Sequence, residues 1–326
     1  MASPSGDPAS RAATQTPPSS GARWPDISFR WLALLAALTI AALIVLVGWE
    51  LYRGSRLAIA QFGLNFLGSS KWDPVTDQYG AWPFIYGTLV SSLIALVIAV
   101  PLGVATALYL TEMAPLRLRQ PIITIIEMLA AVPSVIFGMW GIFVLIPWLR
   151  DHLFVWLQHT LGFLPLFQGP IYGVSMLAGG IIIAIMILPI VTSISREILR
   201  SVPDLQREAA YALGATRWET IRIAVISYAR RGLLGAAVLG LGRALGETMA
   251  VTMVIGNRPE ISASLFSPGY TLASVIANEF TEATSDLYLN ALFELGLVLL
   301  VVTILVNIAA QMMLKSITGG GTGKVH

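Results

Sequence analysis

Residues 233–257 read LLGAAVLGLGRALGETMAVTMVIGN, an apolar run whose charged members are Arg243 and Glu247. The run is long enough to cross the roughly 30 Å hydrocarbon core of a bilayer as a helix. A charged side chain at that depth is expensive, and such residues usually face the interior of a helix bundle or a water-filled path. Because the two are spaced i,i+4, they share one face of the predicted helix.

Five further apolar runs have a comparable length. They lie at about 31–52, 86–111, 122–149, 173–195 and 289–314. Charged residues make up 12% of the chain and hydrophobic residues 56%, whereas soluble domains carry about 25% charged residues. A backbone that spans lipid must satisfy its own hydrogen bonds, so each run should be helical. We therefore predict an all-α membrane protein with six transmembrane helices.

These spans form one predicted membrane domain, residues 29–316, between two tails. Residues 1–28 are rich in Pro, Ser, Gly and Ala and lack the apolar content to fold, so a disordered tail is expected there. Residues 317–326 are interpreted as a second flexible tail. The run at 31–52 passes into Trp49, Glu50 and Tyr52 without a small-x-small cleavage site, which favours a retained anchor over a signal peptide.

The distribution of Lys and Arg predicts the orientation. With the N-terminus inside, 14 of the 20 Lys and Arg residues fall in inside segments and 5 in outside segments, and Arg243 lies within the membrane. Positive residues are in excess in cytoplasmic loops. We therefore expect a multi-pass protein of the plasma membrane with both termini in the cytoplasm.

Several kinds of chemistry are excluded or disfavoured. The chain has no cysteine, which excludes disulfides, thiol catalysis and zinc–thiolate sites. His152 and His159 are spaced too far apart for a good metal site. The C-terminal GGGTGKVH lacks the P-loop spacing, with Thr318 in place of the first Gly and Val325 in place of Ser or Thr. We predict no metal, cofactor, catalytic residue or nucleic-acid partner for this chain.

The longest predicted cytoplasmic loop has the pattern of two short helices, at about 201–223. Ser201 is a candidate N-cap, Gly214 a candidate C-cap, and Thr216 begins a capping box for the second helix. A helix on the lipid surface, with its basic residues near anionic headgroups, is the alternative interpretation.

This loop resembles the EAA loop of bacterial ABC-importer permeases. The matching residues are Glu208, Ala209, Ala210 and Gly214. The later Ile-x-Leu-Pro part of the motif is not matched, and Ala224, Ile226 and Ser227 stand in its places. The resemblance implies that the loop docks into a cleft of an ATPase subunit and transmits the motion of that subunit. Because the proline of the motif is missing, the motif does not predict the backbone conformation at the end of the loop.

The segment GRALGETMAVTMVIGN (242–257) resembles the signature of the C-type permease subunit of phosphate-specific (Pst) ABC importers. Similar stretches occur in the same order at 72–74, 84–89, 132–141 and 188–203, and the resemblance runs from about residue 66 to the C-terminus. It implies a type I ABC-importer permease bundle in which Arg243 and Glu247 line the phosphate path. The implied partners are an A-type permease in a heterodimer, two ATPase subunits that bind ATP–Mg, and an external phosphate-binding protein.

The two charged residues suit such a path on chemical grounds. The planar guanidinium of arginine matches phosphate oxygens, and a carboxylate accepts a hydrogen bond from protonated phosphate but repels a fully ionised anion such as sulfate. The alternative is a salt bridge that cancels its own charge and holds two helices in register. Thr88 and Ser134 are further candidates along the path, although such hydroxyls often bond their own helix backbone.

A strip of mostly small residues beside the pair predicts a tight contact with another helix. It consists of Gly235, Leu239, Gly242, Gly246 and Ala250. Two rival functions stay open: an ABC permease for another oxyanion such as sulfate or molybdate, and a secondary transporter or channel that works without ATP. The second rival would have no need of the EAA-like loop.

Overall fold

The computed structural model describes residues 23–318, which form helices and loops without a β-strand. Six helices are long and apolar enough to cross a membrane: Ser28–Gly54, Trp82–Met113, Ser134–Leu161, Met176–Arg200, Arg217–Leu245 and Asp286–Lys315. We call them spans 1 to 6. The predicted all-α class and the number of spans are confirmed.

Within the described residues, six shorter α-helices and one 3₁₀ helix connect the spans. The α-helices are Arg56–Phe62, Asn65–Gly68, Leu116–Ala130, Asp204–Ala212, Met249–Val254 and Leu272–Glu279, and the 3₁₀ helix is Pro165–Phe167. Residues 1–22 and 319–326 of the predicted tails lie outside the described residues. The tail boundaries at 28 and 317 are corrected, because the first helix begins at Arg23 and the last ends at Thr318.

The chain divides into two compact units, residues 1–50 and 51–326. In its described part the first unit is a single helix whose side chains are exposed from residue 28 onward, except for the half-buried Gly48. All packing described below lies within the second unit.

Span 4 is the central helix of the second unit. It has the largest buried share of the six spans and packs against spans 2 and 5. Glycines mark the close approaches: Gly180 lies against Ile94 of span 2, and Gly240 of span 5 lies against Val191. Lipid supplies no hydrophobic force between helices, so small residues that allow close packing hold such a bundle together.

The predicted span at 122–149 is corrected by the structure. One helix ends at Ala130 and span 3 begins at Ser134, with Pro133 at its N-cap. Proline disfavours the helical conformation in the residue before it, which explains the break. Span 3 therefore runs to Leu161, and Leu116–Ala130 is a separate helix whose Glu127 carboxylate lies 3.6 Å from the Arg196 guanidinium.

The predicted span at 233–257 is also corrected. Span 5 begins at Arg217 and ends at Leu245, and a break at residues 246–248 separates it from the helix Met249–Val254. Residues 217–245 contain no proline, and Ser227 stands where the EAA motif has one. The second helix of the predicted loop therefore continues directly into the membrane span. At 1.5 Å per residue the span is about 43 Å long, so part of it extends beyond the hydrocarbon core.

An aromatic cluster ties the segment between spans 1 and 2 to span 6. The indole of Trp72 and the hydroxyl of Tyr288 both donate to Glu279 Oε2 at 2.7 Å. The ring of Tyr79 stacks on that of Tyr288 with centroids 5.6 Å apart. Burial, with a smaller contribution from Asp77, raises the pKa of Tyr79 to about 12. Residues 72–74, one of the stretches that resemble the Pst permeases, therefore contribute Trp72 to this cluster.

Candidate functional site

Arg243 and Glu247 form an ion pair at the break that ends span 5. Arg243 Nη1 lies 3.0 Å from Glu247 Oε2. The Arg243 side chain is 45% exposed, whereas that of Glu247 is 3% exposed. The pair therefore has one open member and one buried member, and the open member is the cation.

The helix termini at the break stabilise both charges. Arg243 lies in the last turn of span 5, where the helix dipole favours a cation. The other carboxylate oxygen of Glu247 accepts a hydrogen bond from the backbone N–H of Ala250 at 3.4 Å, in the first turn of the next helix. Glu247 thus joins two consecutive helices of one chain segment. Within residues 23–318 the ion pair does not join two different spans, and the salt-bridge alternative stays open beside a role in a path.

The predicted tight helix contact beside the pair is made at Ala250 alone among the strip residues, within the described part of the chain. Ala250 is buried and lies against Gly138 of span 3. A side chain added at Gly235 or Gly242 would meet nothing within 4 Å, and Leu239 and Gly246 are exposed. The members of the strip from Gly235 to Gly246 therefore form an open surface on the same side of the chain segment as Arg243.

Ser134 begins the helix that packs against Met249–Val254. Gly138 lies against Ala250, and Gly141 lies against Val254, so the two helices run in the same direction. Ser134 lies one turn before Gly138, at the start of span 3, and is half-buried. Its role in the path stays a prediction.

Thr88 has a different environment. It is buried, and its hydroxyl donates to Phe84 O at 2.7 Å while it accepts from the backbone N–H of Leu272 at 2.9 Å. The first bond is to the backbone of its own helix, which is the alternative interpretation of this hydroxyl. The second bond fixes the start of the helix Leu272–Glu279 against span 2.

The EAA-like residues lie on an exposed helix that ends in a glycine turn. Gly214 has φ +84°, the left-handed conformation that glycine adopts without strain. The Gly214 N–H donates to Tyr211 O and the Ala215 N–H to Ala210 O, which is a Schellman motif. The predicted Ser201 N-cap is wrong, since Ser201 ends span 4 and the helix begins at Asp204 after Pro203.

The second half of the loop begins with the predicted capping box. The Thr216 hydroxyl accepts from Glu219 N, and the Glu219 carboxylate accepts from Thr216 N. Glu208 and Ala209 are exposed, and Ala210 is half-buried. The surface around them also exposes Leu205, Leu213 and Trp218. Exposed apolar side chains beside small residues are typical of a surface that binds another protein.

Two features of the structure were missed from the sequence. Arg207 pairs with Glu112, 95 residues earlier, at 2.9 Å, and this hydrogen bond raises the pKa of Arg207 above its usual value. Glu294 is buried in span 6, and its Oε2 has no hydrogen-bond partner among residues 23–318. It borders an apolar groove of about 540 Å³. No local pattern signals either feature, because each depends on how distant segments pack.

The fold and the site can be compared with known proteins. The family model described as "Binding-protein-dependent transport system inner membrane component" matches residues 99–319. The chain therefore belongs to the inner-membrane permeases of binding-protein-dependent transport systems. The crystal structure of a bacterial ABC transporter involved in the import of alginate has the same fold, with a TM-score of 0.50 at 20% sequence identity. The superposition covers 90% of this chain and 99% of that one.

Closer relatives narrow the family. The phosphate transport system permease protein PstC of Mesorhizobium japonicum is 47% identical and the alignment covers 90% of both chains. PstC of Haemophilus influenzae is 46% identical over 89% of this chain and 93% of its own length. Within the permeases, the chain is a member of the PstC family.

Proposed function

We propose that this chain forms one half of the translocation path of an ATP-driven importer of inorganic phosphate. The phosphate named for the PstC relatives supports this substrate, because 47% identity extends over nine-tenths of both chains. The chain itself carries out no covalent chemistry. ATP hydrolysis belongs to separate ATPase subunits, which bind the ATP–Mg.

The observation that carries the proposal is the open guanidinium at a break in a membrane span. The buried carboxylate of Glu247 neutralises part of the charge of Arg243 but does not cover the Arg243 side chain. The exposed N–H donors of Arg243 are available for the oxygens of an anion, in the geometry that guanidinium groups share with phosphate. A charged side chain that faces lipid is energetically costly, so the exposure of Arg243 supports a water-filled path beside it.

Glu247 gives the site its preference for a protonated anion. At neutral pH phosphate carries at least one proton, so it donates a hydrogen bond to the carboxylate, and sulfate carries none. Near a fixed carboxylate, sulfate is repelled without a compensating hydrogen bond. Ser134, at the start of span 3, supplies a hydroxyl to the same path.

The two open surfaces support an assembly with partner subunits. An A-type permease packs along the part of the strip at Gly235, Leu239 and Gly242, and the path runs between the two permeases past Gly246 and Arg243. Two ATPase subunits dock on the EAA-like surfaces, one on this chain and one on its partner. An external phosphate-binding protein delivers the substrate. In this arrangement the loop and both termini are cytoplasmic.

The test is purification of the tagged chain followed by reconstitution of what comes with it. We expect a distinct permease and an ATPase to co-purify, and phosphate uptake into liposomes to require ATP and the binding protein. Excess sulfate should leave phosphate uptake unchanged. Sulfate that blocks uptake as well as phosphate does would favour another oxyanion, and uptake without ATP would favour a secondary transporter.

A further inference from the structure

Arg207 is turned back toward the membrane domain while its neighbours face away. It lies on the helix Asp204–Ala212, where Leu205, Glu208 and Ala209 are exposed. Its own side chain is 19% exposed and that of its partner Glu112 is 13% exposed. The helix thus presents one face outward and a single charged side chain inward.

The guanidinium binds the ends of two spans at once. One nitrogen donates to Val202 O at 2.7 Å and to the carboxylate of Asp204 at 3.1 Å. The other donates to Glu112 Oε1 at 2.9 Å and to Leu199 O at 3.2 Å. Leu199 belongs to the last turn of span 4 and Glu112 to the last turn of span 2. Carbonyls at a helix C-terminus lack partners within their helix, and a cation is favoured there.

An apolar cluster lies at the same ends of the spans. It joins spans 2, 4 and 5 and consists of Ala107, Leu199, Val202, Val225, Ala229 and Leu233. Arg217, at the start of span 5, donates to the backbone carbonyl of Glu112. The ends of three spans therefore form one packed body, and the Arg207 side chain is attached to it by three hydrogen bonds, to Val202 O, Glu112 Oε1 and Leu199 O.

We propose that Arg207 is the positioning residue through which displacement of the helix Asp204–Ala212 is transmitted to spans 2 and 4. This inference rests on the proposed docking of that helix to an ATPase subunit. Charge-assisted hydrogen bonds are roughly twice as strong as neutral ones, and a guanidinium holds several acceptors in a fixed plane. A force on the exposed face of the helix Asp204–Ala212 therefore moves the ends of spans 2 and 4. With a flexible contact, the helix would move without them.

The test compares variants in the reconstituted full complex with three readouts: ATPase co-purification, ATP hydrolysis, and phosphate imported per ATP. Arg207→Gln should retain ATPase binding and hydrolysis, while phosphate per ATP falls by about tenfold, equivalent to the loss of about 1.4 kcal/mol of coupling. Arg207→Lys and Glu112→Gln should show smaller losses of the same ratio. The matched control is Arg200→Gln, which removes the same charge from an exposed arginine at the end of span 4 and should leave the ratio unchanged.

The double variant Arg207→Gln with Glu112→Gln separates coupling from a general loss of structure. If the two residues act through one interaction, the double variant is no worse than Arg207→Gln. An unchanged ratio of phosphate to ATP in Arg207→Gln would overturn the inference while leaving ATPase docking intact. If that variant does not assemble, an unchanged ratio in both Arg207→Lys and Glu112→Gln would overturn it. A wild-type chain that binds no ATPase would overturn the docking proposal and this inference together.

Discussion

Two arginine–glutamate pairs in this chain are built in opposite ways. At the break after span 5, Arg243 is 45% exposed and its partner Glu247 is 3% exposed. Near the ends of spans 2 and 4, Arg207 and Glu112 are 19% and 13% exposed. Four hydrogen bonds engage Arg207, whereas Glu247 is the one polar partner of Arg243 within residues 23–318.

The same two residue types thus serve two purposes, to hold elements of the protein together and to bind an anion. A guanidinium whose donors are used and whose surroundings are packed holds elements of the protein together. A guanidinium with open donors beside a buried carboxylate is prepared for a further anion. The spacing in the sequence does not separate the two cases. Burial and the number of occupied donors do.

The largest expected effect is on Arg243. We predict that Arg243→Gln lowers phosphate transport by about a hundredfold or more, since a hydrogen bond to a charged group contributes about 1.5–3 kcal/mol and each 1.4 kcal/mol is tenfold. Loss of the cation also leaves Glu247 to repel the substrate. Uptake by the reconstituted complex measures the effect, with assembly checked by co-purification.

A double variant tests whether that loss reflects folding. Arg243→Gln with Glu247→Gln removes both charges, so no buried charge is left uncompensated. We expect it to assemble as well as the wild type and still not transport phosphate. Recovery of transport in the double variant would show instead that the pair is a structural salt bridge.

The next effect is on the glycine turn of the loop. Gly214→Asp should lower ATPase co-purification and uptake by about tenfold, equivalent to about 1.4 kcal/mol of docking free energy, because it places a new charge on the exposed surface. Gly214→Asn is the matched control, since asparagine has nearly the same shape and also adopts the left-handed conformation but adds no charge. Intact ATPase binding and uptake in Gly214→Asp would favour a transporter that works without ATP.

A smaller change is expected at Glu247. Glu247→Gln retains the shape of the side chain and should lower phosphate uptake several-fold. Because an amide does not repel sulfate, sulfate should become a competitor. The measurement is inhibition of phosphate uptake by sulfate, with the wild-type complex as the control. Equal inhibition of the two complexes would remove the proposed selectivity role of Glu247.

The smallest effect on transport is expected at Thr88. Thr88→Val leaves the buried N–H of Leu272 without its acceptor, which costs about 1–3 kcal/mol of stability. The melting temperature of the complex should fall while uptake per folded complex is unchanged. Thr106→Val is the matched control, because Thr106 is half-buried and its hydroxyl makes an exposed bond within its own helix, to Leu102 O. A loss of uptake without a loss of stability would return Thr88 to the path.

The parts of the fold that the sequence predicts are those that depend on local composition. Length and hydropathy found six spans, and the i,i+4 spacing found the Arg243–Glu247 pair. Spans 3 and 5 were misplaced because hydropathy does not register a break: Pro133 interrupts an apolar run, and residues 246–248 interrupt another. A proline signal was therefore available for the first break, but no comparable signal existed for the second.

The tertiary contacts could not be predicted in the same way. Glu112 lies 95 residues from Arg207, and Trp72 lies 207 residues from Glu279. Such pairs depend on the packing of whole spans, which one sequence does not specify locally. The hydroxyl of Thr88 was likewise indistinguishable from one that lines a path until its acceptor and donor were located.

The central claim is that water and phosphate reach the face of span 5 that carries Arg243. The chain has no cysteine of its own, so a single cysteine reports its position without background from this chain. Gly246→Cys is suitable because Gly246 is exposed and a side chain there meets no atom closer than 3.8 Å. Leu245→Cys, at a buried neighbouring position, is the control.

The measurement is the rate at which a charged thiol reagent modifies each cysteine in the assembled complex in liposomes. We predict that Gly246→Cys reacts, that phosphate slows the reaction, and that Leu245→Cys does not react. A Gly246→Cys complex that is as unreactive as Leu245→Cys, both with and without ATP, would contradict a path past Arg243.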